Sequence, residues 1–441
     1  MPASPARVAA FKVLLRVERE AAYADELLHS VLLDQLSPAD RGLATEIVMG
    51  VLRWRSALDV MFAGLIPGQL RKLDLEVLTA LRMGAYQMAF LSRVPAHAVV
   101  NETVELVKQA KKRSAAGLVN AVMRKLQPNR AAVPSPPAAD ANQLAASYSH
   151  PEWLVDRWVA YFGFDRALQI CQYDQQVPAT AIRLSSADDE AELRKEGFQL
   201  APGALMKNAR RVVAGDMTAS ALLRSGRIAI QDEGSQLVAA LVGEGRRILD
   251  CCAAPGGKTA ALATRLPDAE IIAADLHPHR ARLLRQMAPQ ANVQVIAADA
   301  LHLPLTAHFD RVLADVPCSG TGTLARNPEI KWRLTPDDLQ DLQSRQIAIL
   351  SAAMDRVATG GRLVYSTCSL EPEENEQVVA ACLRSHAGFE LIPAKDELLR
   401  LRAAGELVWP DIETLVHGNF LRTIPGVHPC DGFFAAVLQK Q

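Results

Sequence analysis

Two cysteines stand where predicted strands end. Cys318 lies in the run Asp315-Val-Pro-Cys-Ser-Gly-Thr-Gly, and Cys368 lies in Ser366-Thr-Cys-Ser. The thiolate is the reactive form of cysteine, and a nearby cation or helix N-terminus favours it. If the two strands are parallel neighbours, both thiols and Asp315 meet at one edge of the sheet, which predicts nucleophilic chemistry there. For either cysteine taken alone, a role as buried filler stays open.

A turn with two adjacent glycines is predicted to hold a nucleotide-like ligand. It is the stretch Asp250-Cys-Cys-Ala-Ala-Pro-Gly-Gly-Lys-Thr, between an apolar strand at 247–250 and a helix. Glycine lets the backbone approach a ligand, and the first amides of a helix are free donors. Cys252 stands where a P-loop needs glycine, and Gly-x-Gly-x-x-Gly is absent, so neither common phosphate-binding motif is present. A tight turn without a ligand is the alternative.

Two more carboxylates follow predicted strands. Asp275 comes 18 residues after Gly257, the position at which a carboxylate meets ribose hydroxyls in nucleoside sites. Asp299 follows the next strand. Both extend the predicted ligand site.

The elements that position these residues fall into four regions. Helical periodicity covers 1–130, with a Ser37-Pro38 helix start, and predicts an all-α bundle. A Pro/Ala-rich linker is predicted at 131–146, and a small α+β module at 147–225. From 226 to 441 strands and helices alternate, which predicts a doubly wound α/β sheet with its ligand at the carboxyl ends of the strands. Its strands are predicted at 228–231, 247–250, 271–275, 293–297, 311–315 and 362–366, and its longest helix at 337–358.

Composition limits the classes of protein. The 441 residues carry 48 Lys/Arg and 49 Asp/Glu, no apolar run is long enough for a membrane span, and no signal-peptide core is evident, which predicts a cytoplasmic protein without a membrane partner. The seven cysteines lack zinc-ligand spacing, so no metal is expected.

Residues 1–130 hold 18 Lys/Arg and 12 Asp/Glu, and the charges cluster at Lys108, Lys111 to Arg113, Arg124 and Lys125. That cluster is either an RNA-contacting patch or a solvated helix face.

Taken together, these motifs resemble those of the RNA cytosine-C5 methyltransferases of the Sun family. The resemblance rests on the glycine turn, on the proline-cysteine and threonine-cysteine motifs, and on the following Glu371-Pro-Glu-Glu-Asn-Glu. The helical third, with Val99-Val-Asn-Glu-Thr-Val-Glu-Leu-Val-Lys, is similar to the NusB-like domain of the branch that methylates cytosine 967 of 16S ribosomal RNA. Asn327 departs from the histidine expected there. The resemblance implies a Rossmann-like catalytic domain that uses S-adenosylmethionine.

The resemblance also implies roles for individual residues. Cys368 would add to C6 of cytosine, Cys318 would assist release after methyl transfer to C5, and Asp315 would bond the base near N3. Lys258 would lie close to both cofactor and base. The cofactor would be held by Cys252, Ala253, Ala254, Pro255, Gly256, Gly257 and Lys258, with Asp275 on the ribose, Asp299 on the adenine amine, and Asp315 nearby.

The implied substrate is 16S ribosomal RNA, free or partly assembled, rather than DNA, and a monomer is expected. One alternative is a DNA cytosine-C5 methyltransferase, whose nucleophile is the cysteine of the proline-cysteine motif. The other is a non-catalytic RNA-binding assembly or antitermination factor. Such a factor should have lost a cysteine or a turn glycine, and this sequence retains them.

Overall fold

The structure, a computed structural model, describes residues 3–30, 33–66, 68, 70–126 and 138–441. The predicted linker at 131–146 lies outside the described residues up to 137. The chain forms two compact units, one of Met1–Val177 with Leu324–Arg333 and one of Pro178–Thr323 with Leu334–Gln441. A helix at 141–147 forms largely within the region predicted as linker, so that part of the linker prediction is wrong. This helix and the helices between 152 and 174, which were predicted with the α+β module, group with the N-terminal unit.

The first unit is helical wherever the structure describes it. Ser37 accepts a hydrogen bond from the Asp40 amide at 3.2 Å, so the predicted start of a helix at Pro38 is confirmed. One apolar core runs from Ala3 to Leu126. The helices are α1 (Pro5–Glu20), α2 (Ala24–Leu28), α3 (Pro38–Arg53), α4 (Arg55–Ala63), α5 (Leu75–Phe90), α6 (Ala96–Gln109), α7 (Ala116–Lys125), α8 (Ala141–Ser147), α9 (Glu152–Phe162) and α10 (Phe164–Asp174).

The segment Leu324–Arg333 adds α16 (Ile330–Arg333) to this helical unit. Trp332 donates from Nε1 to the Leu52 carbonyl at 2.6 Å, and Lys331 donates from Nζ to the Arg53 carbonyl at 3.1 Å. Burial lowers the pKa of Lys331 to about 7. The segment follows the Cys318 motif directly in sequence. The side chains of Lys331 and Trp332 are nevertheless held by carbonyls at the end of α3, which is far from them in the sequence.

The basic cluster lies around the end of α6 and along α7. Lys108 pairs with Glu105 at 3.5 Å, and Lys112 with Asp74 at 3.1 Å. Lys111, Arg113, Arg124 and Lys125 are exposed. Exposed cations of this kind are compatible both with an RNA-contacting patch and with a solvated helix face.

The second unit begins with a four-stranded antiparallel sheet in the order β2-β3-β1-β4. The predicted strand at 228–231 forms, but it pairs with β1 in this sheet and is not part of the catalytic sheet. Ile228 of this strand packs in the core of the module together with Ile182 and Leu222. The elements are β1 (Ala181–Leu184), α11 (Asp188–Lys195), β2 (Gln199–Pro202), β3 (Ala209–Ala214), α12 (Ala221–Arg224) and β4 (Ile228–Ile230).

A nine-stranded sheet carries the candidate site. Its order is β11-β12-β13-β9-β8-β5-β6-β7, with β10 paired to β13. The run β9-β8-β5-β6-β7 is parallel, as predicted, whereas β13 pairs with β9 in the antiparallel sense, so the sheet is mixed. The strands are β5 (Arg247–Asp250), β6 (Glu270–Asp275), β7 (Val293–Ala297), β8 (Phe309–Asp315), β9 (Val357–Thr367), β10 (Phe389–Ile392), β11 (Val416–His417), β12 (Phe420–Thr423) and β13 (Phe433–Lys440).

Helices connect and flank these strands, and buried aliphatic clusters lie against the sheet. The long helix predicted at 337–358 runs from Pro336 to Met354 and starts with a capping box at Thr335 and Asp338. Within the described parts of the chain, no helix is long and apolar enough to cross a membrane. The helices are α13 (Glu233–Leu241), α14 (Gly257–Arg265), α15 (Pro278–Met287), α17 (Pro336–Met354), α18 (Glu376–Ser385) and α19 (Ala394–Ala403).

Candidate active site

The glycine turn joins β5 to α14 at the carboxyl edge of the sheet. Gly256 has a φ of 122° and caps α14 without a side-chain hydrogen bond. This left-handed backbone favours glycine, and a Cβ there would lie 3.0 Å from Leu284 Cδ1. Because no side chain caps the helix, its first amides are available to a ligand. The turn, which includes Cys252 to Lys258, therefore has the backbone geometry predicted for it.

The hydrogen bonds of Asp250 hold the start of this turn. The Thr259 hydroxyl donates to Asp250 Oδ2 at 2.7 Å. Burial raises the pKa of the Asp250 carboxyl to about 7. Burial likewise raises the pKa of the Cys252 thiol well above its ordinary value, so this thiol stays protonated.

Asp275 and Asp299 lie after β6 and β7 respectively. Asp275 is buried and accepts hydrogen bonds from the amides of Ala254 at 3.3 Å and His277 at 3.1 Å. Asp299 is half-buried and accepts from the Leu301 amide at 3.0 Å. Both carboxylates thus lie at the ligand edge of the sheet, and Asp275 also ties β6 to the glycine turn.

The two cysteines meet at the ends of β8 and β9. Parallel pairing places Asp315 opposite Ser366, so the residues that follow each strand are brought side by side. The Sγ atoms of Cys318 and Cys368 lie 3.2 Å apart, and the Cys368 amide donates to Cys318 Sγ at 3.3 Å. Both cysteines are free thiols. One substrate atom can therefore be reached by both sulfurs.

The surroundings of the two thiols differ. The hydrogen bond to Cys368 and burial raise the pKa of the Cys318 thiol well above its ordinary value. Cys318 is thus held as a thiol that can donate to Cys368 Sγ. Cys368 lies close enough to Lys258 to contribute to raising the pKa of that lysine.

Lys258 connects the glycine turn to the cysteine strands. Its Nζ donates to Asp315 Oδ2 at 2.7 Å and lies 5.1 Å from the centroid of the Phe433 ring. Burial alone would lower the pKa of Lys258, but the charge of Asp315 and the hydrogen bond to it raise the pKa above its ordinary value. The other oxygen of Asp315 accepts from the Ser366 hydroxyl at 2.7 Å. Lys258 is therefore a half-buried cation held at Asp315.

The carboxylate of Glu374 accepts hydrogen bonds from both loops that carry the cysteines. Its Oε1 accepts from the Ser319 amide at 2.8 Å and from Gln346 Nε2 at 2.8 Å. Its Oε2 accepts from the hydroxyls of Ser319 and Ser369, the residues directly after the two cysteines. Glu374 is fully buried. One carboxylate thus fixes the backbone that carries each thiol.

Comparisons with known proteins identify the family. Residues 238–439 match the model described as 16S rRNA methyltransferase RsmB/F, and residues 4–128 match the NusB family. A Bacillus subtilis protein named probable ribosomal RNA small subunit methyltransferase B is 34% identical over 458 residues, covering 100% of both chains. The chain belongs to the RsmB/F family of methyltransferases.

Solved structures show the same fold. The crystal structure of PH0851 matches with a TM-score of 0.81 at 23% identity and covers 100% of both chains. A methyltransferase homologue from Pyrococcus horikoshii matches with a TM-score of 0.56 at 29% identity, over 69% of this chain and 100% of its own. The prediction of a NusB-like helical domain followed by a Rossmann-like methyltransferase domain is confirmed.

Membership of the RsmB/F family makes S-adenosylmethionine the cofactor, as predicted. The residues present fit this molecule. The uncapped amides of α14 suit the carboxylate of its methionine part, and the carboxylate of Asp275 suits ribose hydroxyls. Neither feature requires a phosphate, in agreement with the absence of phosphate-binding motifs from the turn.

The role of Glu374 was not predicted from sequence. In the sequence, the stretch from Glu371 to Glu376 is only part of a motif. Four acidic residues so close together do not show which of them are buried. A hydrophilic run after Ser369 is usually solvated. Glu374 differs from Glu373 only in the folded chain, where its carboxylate accepts hydrogen bonds from Ser319 and Ser369, in the loops that follow β8 and β9.

The substitution Glu374→Gln is expected to weaken both cysteine loops. An amide keeps the shape but replaces one acceptor by a donor, which leaves buried hydroxyls unmatched at a cost of about 2 kcal/mol in the free energy of unfolding. We expect a lower melting temperature and a turnover reduced by about tenfold, because displaced thiols lose alignment. Thermal unfolding and methyl-transfer rates measure both effects. The control is Glu373→Gln; equal effects of the two changes would contradict this role.

Proposed function

We propose that this protein forms 5-methylcytosine in 16S ribosomal RNA through a covalent bond between Cys368 and C6 of the base, with cytosine 967 as the target. The observation that carries the proposal is the pair of thiols 3.2 Å apart, close to the half-buried Lys258–Asp315 ion pair. C5 of cytosine is a poor nucleophile, and addition of a thiolate at C6 makes it enamine-like. A single cysteine suffices for addition, so the second needs its own role.

Cys318 fits the release step. Its raised pKa means that the Cys318 thiolate, once formed, is a strong base. In the release step this thiolate would take the C5 proton and become a thiol, the C5–H electron pair would form the C5=C6 double bond, and the C6–S bond would break to return Cys368 as a thiolate. Asp315, oriented by Lys258 and Ser366, would bond the base near N3 and stabilise the charge that develops on the ring. When bound, S-adenosylmethionine supplies an electrophilic methyl group.

The glycine turn is proposed to hold the cofactor. Ala253, Ala254 and Pro255, with Cys252 before them and Gly256 to Lys258 after them, would line its methionine and adenosine parts. Asp275 would accept hydrogen bonds from the ribose and Asp299 from the adenine amine, with Asp315 at the reactive end. These assignments are those that the resemblance to the family implies, and the place of each residue at the carboxyl edge of the sheet supports them.

RNA is favoured over DNA as the substrate. The Bacillus subtilis relative is named for ribosomal RNA of the small subunit, and the NusB family model matches the N-terminal third. A base must be unpaired or extruded before C5 can react, which suits a loop of structured RNA. The full chain acting on free or partly assembled 16S RNA is therefore the proposed system.

The test is transfer of a labelled methyl group to a 16S RNA transcript and to DNA of the same sequence. We expect label on the RNA only, released on nuclease digestion as 5-methylcytidine and identified by mass spectrometry. Bisulfite sequencing of ribosomal RNA from cells with and without the protein then locates the cytosine. Label on DNA, or on an atom other than C5, would overturn the proposal.

A further inference from the structure

A cavity of about 310 Å³ lies outside the cysteine site, in the second unit. It is bounded by the end of β1, the turn before β3, and helices α13 and α14. Arg183, Lys207 and Arg265 line it, and Glu406 is its acidic residue. Its volume suits a sugar-phosphate unit rather than a folded segment.

Arg183 is the unusual member of this lining. Arg183 lies on β1 and is only 8% exposed. Its Nε donates a hydrogen bond to Gln231 Oε1 at 3.1 Å, and its guanidinium has no other partner among the described residues. Burial lowers the pKa of Arg183 to about 10, and no carboxylate offsets that burial. Unpaired buried charge is costly in a folded protein. An anion entering the cavity removes that cost.

The neighbouring carboxylates are engaged elsewhere. Glu233 accepts from the amides of Ala204, Leu205 and Met206, at 2.7 to 3.0 Å, and so builds the wall of the cavity without pairing with Arg183. Glu406 pairs with Arg265 through both of its oxygens.

Lys207 adds a second unpaired cation. It is exposed at the cavity mouth, where its backbone amide donates to the Glu406 carbonyl at 2.9 Å, and its ammonium has no partner in the described chain. Together with Arg183 it leaves the lining with a net charge of +2.

The cavity adjoins the cofactor turn. The amide of Gln231, which accepts from Arg183, lies 3.7 Å from the position of a Cβ on Gly257. Ala261 and Thr264 of α14, the helix that begins at Gly257, form the opposite wall. An anion bound by Arg183 would therefore lie against α14, the helix that begins at the glycine turn.

We propose that this cavity binds a backbone phosphodiester of the RNA substrate, with Arg183 and Lys207 as its ligands. This inference rests on the proposed function. The planar guanidinium suits two phosphate oxygens at once, and Lys207 contributes a mobile charge at the entrance. Through Gln231, binding at this site also holds the RNA against the element that carries the cofactor. Arg183 and Lys207 thus act in positioning and affinity, not in chemistry.

The test uses the full chain with a 16S RNA fragment, comparing the wild type with Arg183→Met, Arg183→Lys and Lys207→Met. The matched control is Lys195→Met, which removes an exposed charge at the end of α11. We expect Arg183→Met to raise the Kd for RNA about tenfold and to reduce the slope of log K against log salt by roughly 0.7 to 0.9, the value of one phosphate contact. Affinity for S-adenosylmethionine should stay unchanged, which also shows that the variant is folded. Arg183→Lys should recover part of the RNA affinity.

The possible outcomes are distinct. If Arg183→Met binds RNA with the affinity and salt slope of the wild type while the wild type methylates RNA, the inference is wrong and the proposed function stands. If inorganic phosphate protects Arg183 in the wild type against a guanidine-modifying reagent but RNA does not, the site serves a free phosphate and the inference is also overturned. If the wild type transfers no methyl group to RNA, the proposed function itself fails.

Discussion

Cys368→Ala is expected to abolish methyl transfer, with turnover reduced by at least about 10³-fold, because no thiolate remains to activate C5. Cys318→Ala is expected to behave differently and to accumulate a covalent complex of protein and RNA. Cys318 Sγ lies 3.2 Å from Cys368 Sγ, so its loss removes the proposed base for release while leaving the nucleophile in place. Denaturing gel electrophoresis with labelled RNA detects the complex.

The control for this pair is Cys382→Ala, since Cys382 is buried beside α17 and β9 and remote from the chemistry proposed here. It should transfer methyl groups normally and accumulate no complex. The opposite pattern, a stable complex with Cys368→Ala and none with Cys318→Ala, would reverse the two roles. That result would assign the nucleophile to the proline-cysteine motif, as in the DNA cytosine-C5 methyltransferases.

Lys258→Met is expected to lower kcat/KM for RNA by at least about 10²-fold, the scale of losing one preorganised charge in an active site. The substitution removes the ammonium that lies 5.1 Å from the centroid of the Phe433 ring and leaves Asp315 without its cation. Asp315 then loses the hydrogen bond that orients it, and the thiolate that we propose for Cys368 loses the attraction of this cation. Lys258→Arg should retain part of the activity.

A surface ion pair serves as the control for Lys258. Lys395 pairs with Glu413 at 2.6 Å and is exposed, so Lys395→Met should leave the rate unchanged. Cofactor affinity separates two explanations for Lys258. If Lys258→Met weakens S-adenosylmethionine binding but leaves kcat unchanged, then Lys258 only supports the glycine turn, and the electrostatic role assigned to it is wrong.

The strand and turn motifs were predictable from sequence because they are local. A strand, a glycine turn and a helix are encoded within about 20 consecutive residues, and their periodicity is visible without knowledge of their neighbours. The bounds of β5, β7 and the start of α3 agree with the sequence prediction. The likeness of the chain to its family was also carried by such local motifs.

The supports of the site were not predictable, since each depends on residues far apart in sequence. Glu374 contacts Ser319 across 55 positions, and Arg183 contacts Gln231 across 48. The strand at 228–230 illustrates the same point, because its pattern predicted a strand but not the sheet in which it would pair. Strand partners are chosen by cross-strand packing, which a single strand does not encode.

The sequence by itself therefore determined which residues we propose to carry the chemistry: two cysteines after strands, an aspartate three residues before one of them, and a lysine at the end of a glycine turn. Tertiary structure decided how they act together. Parallel pairing of β8 and β9 sets the two sulfurs 3.2 Å apart, and Lys258 reaches Asp315 only because β5 and β8 are neighbours in the sheet. Charges and thiols interact over a few ångströms, so their protonation and their division of roles depend on distances that only the folded chain defines.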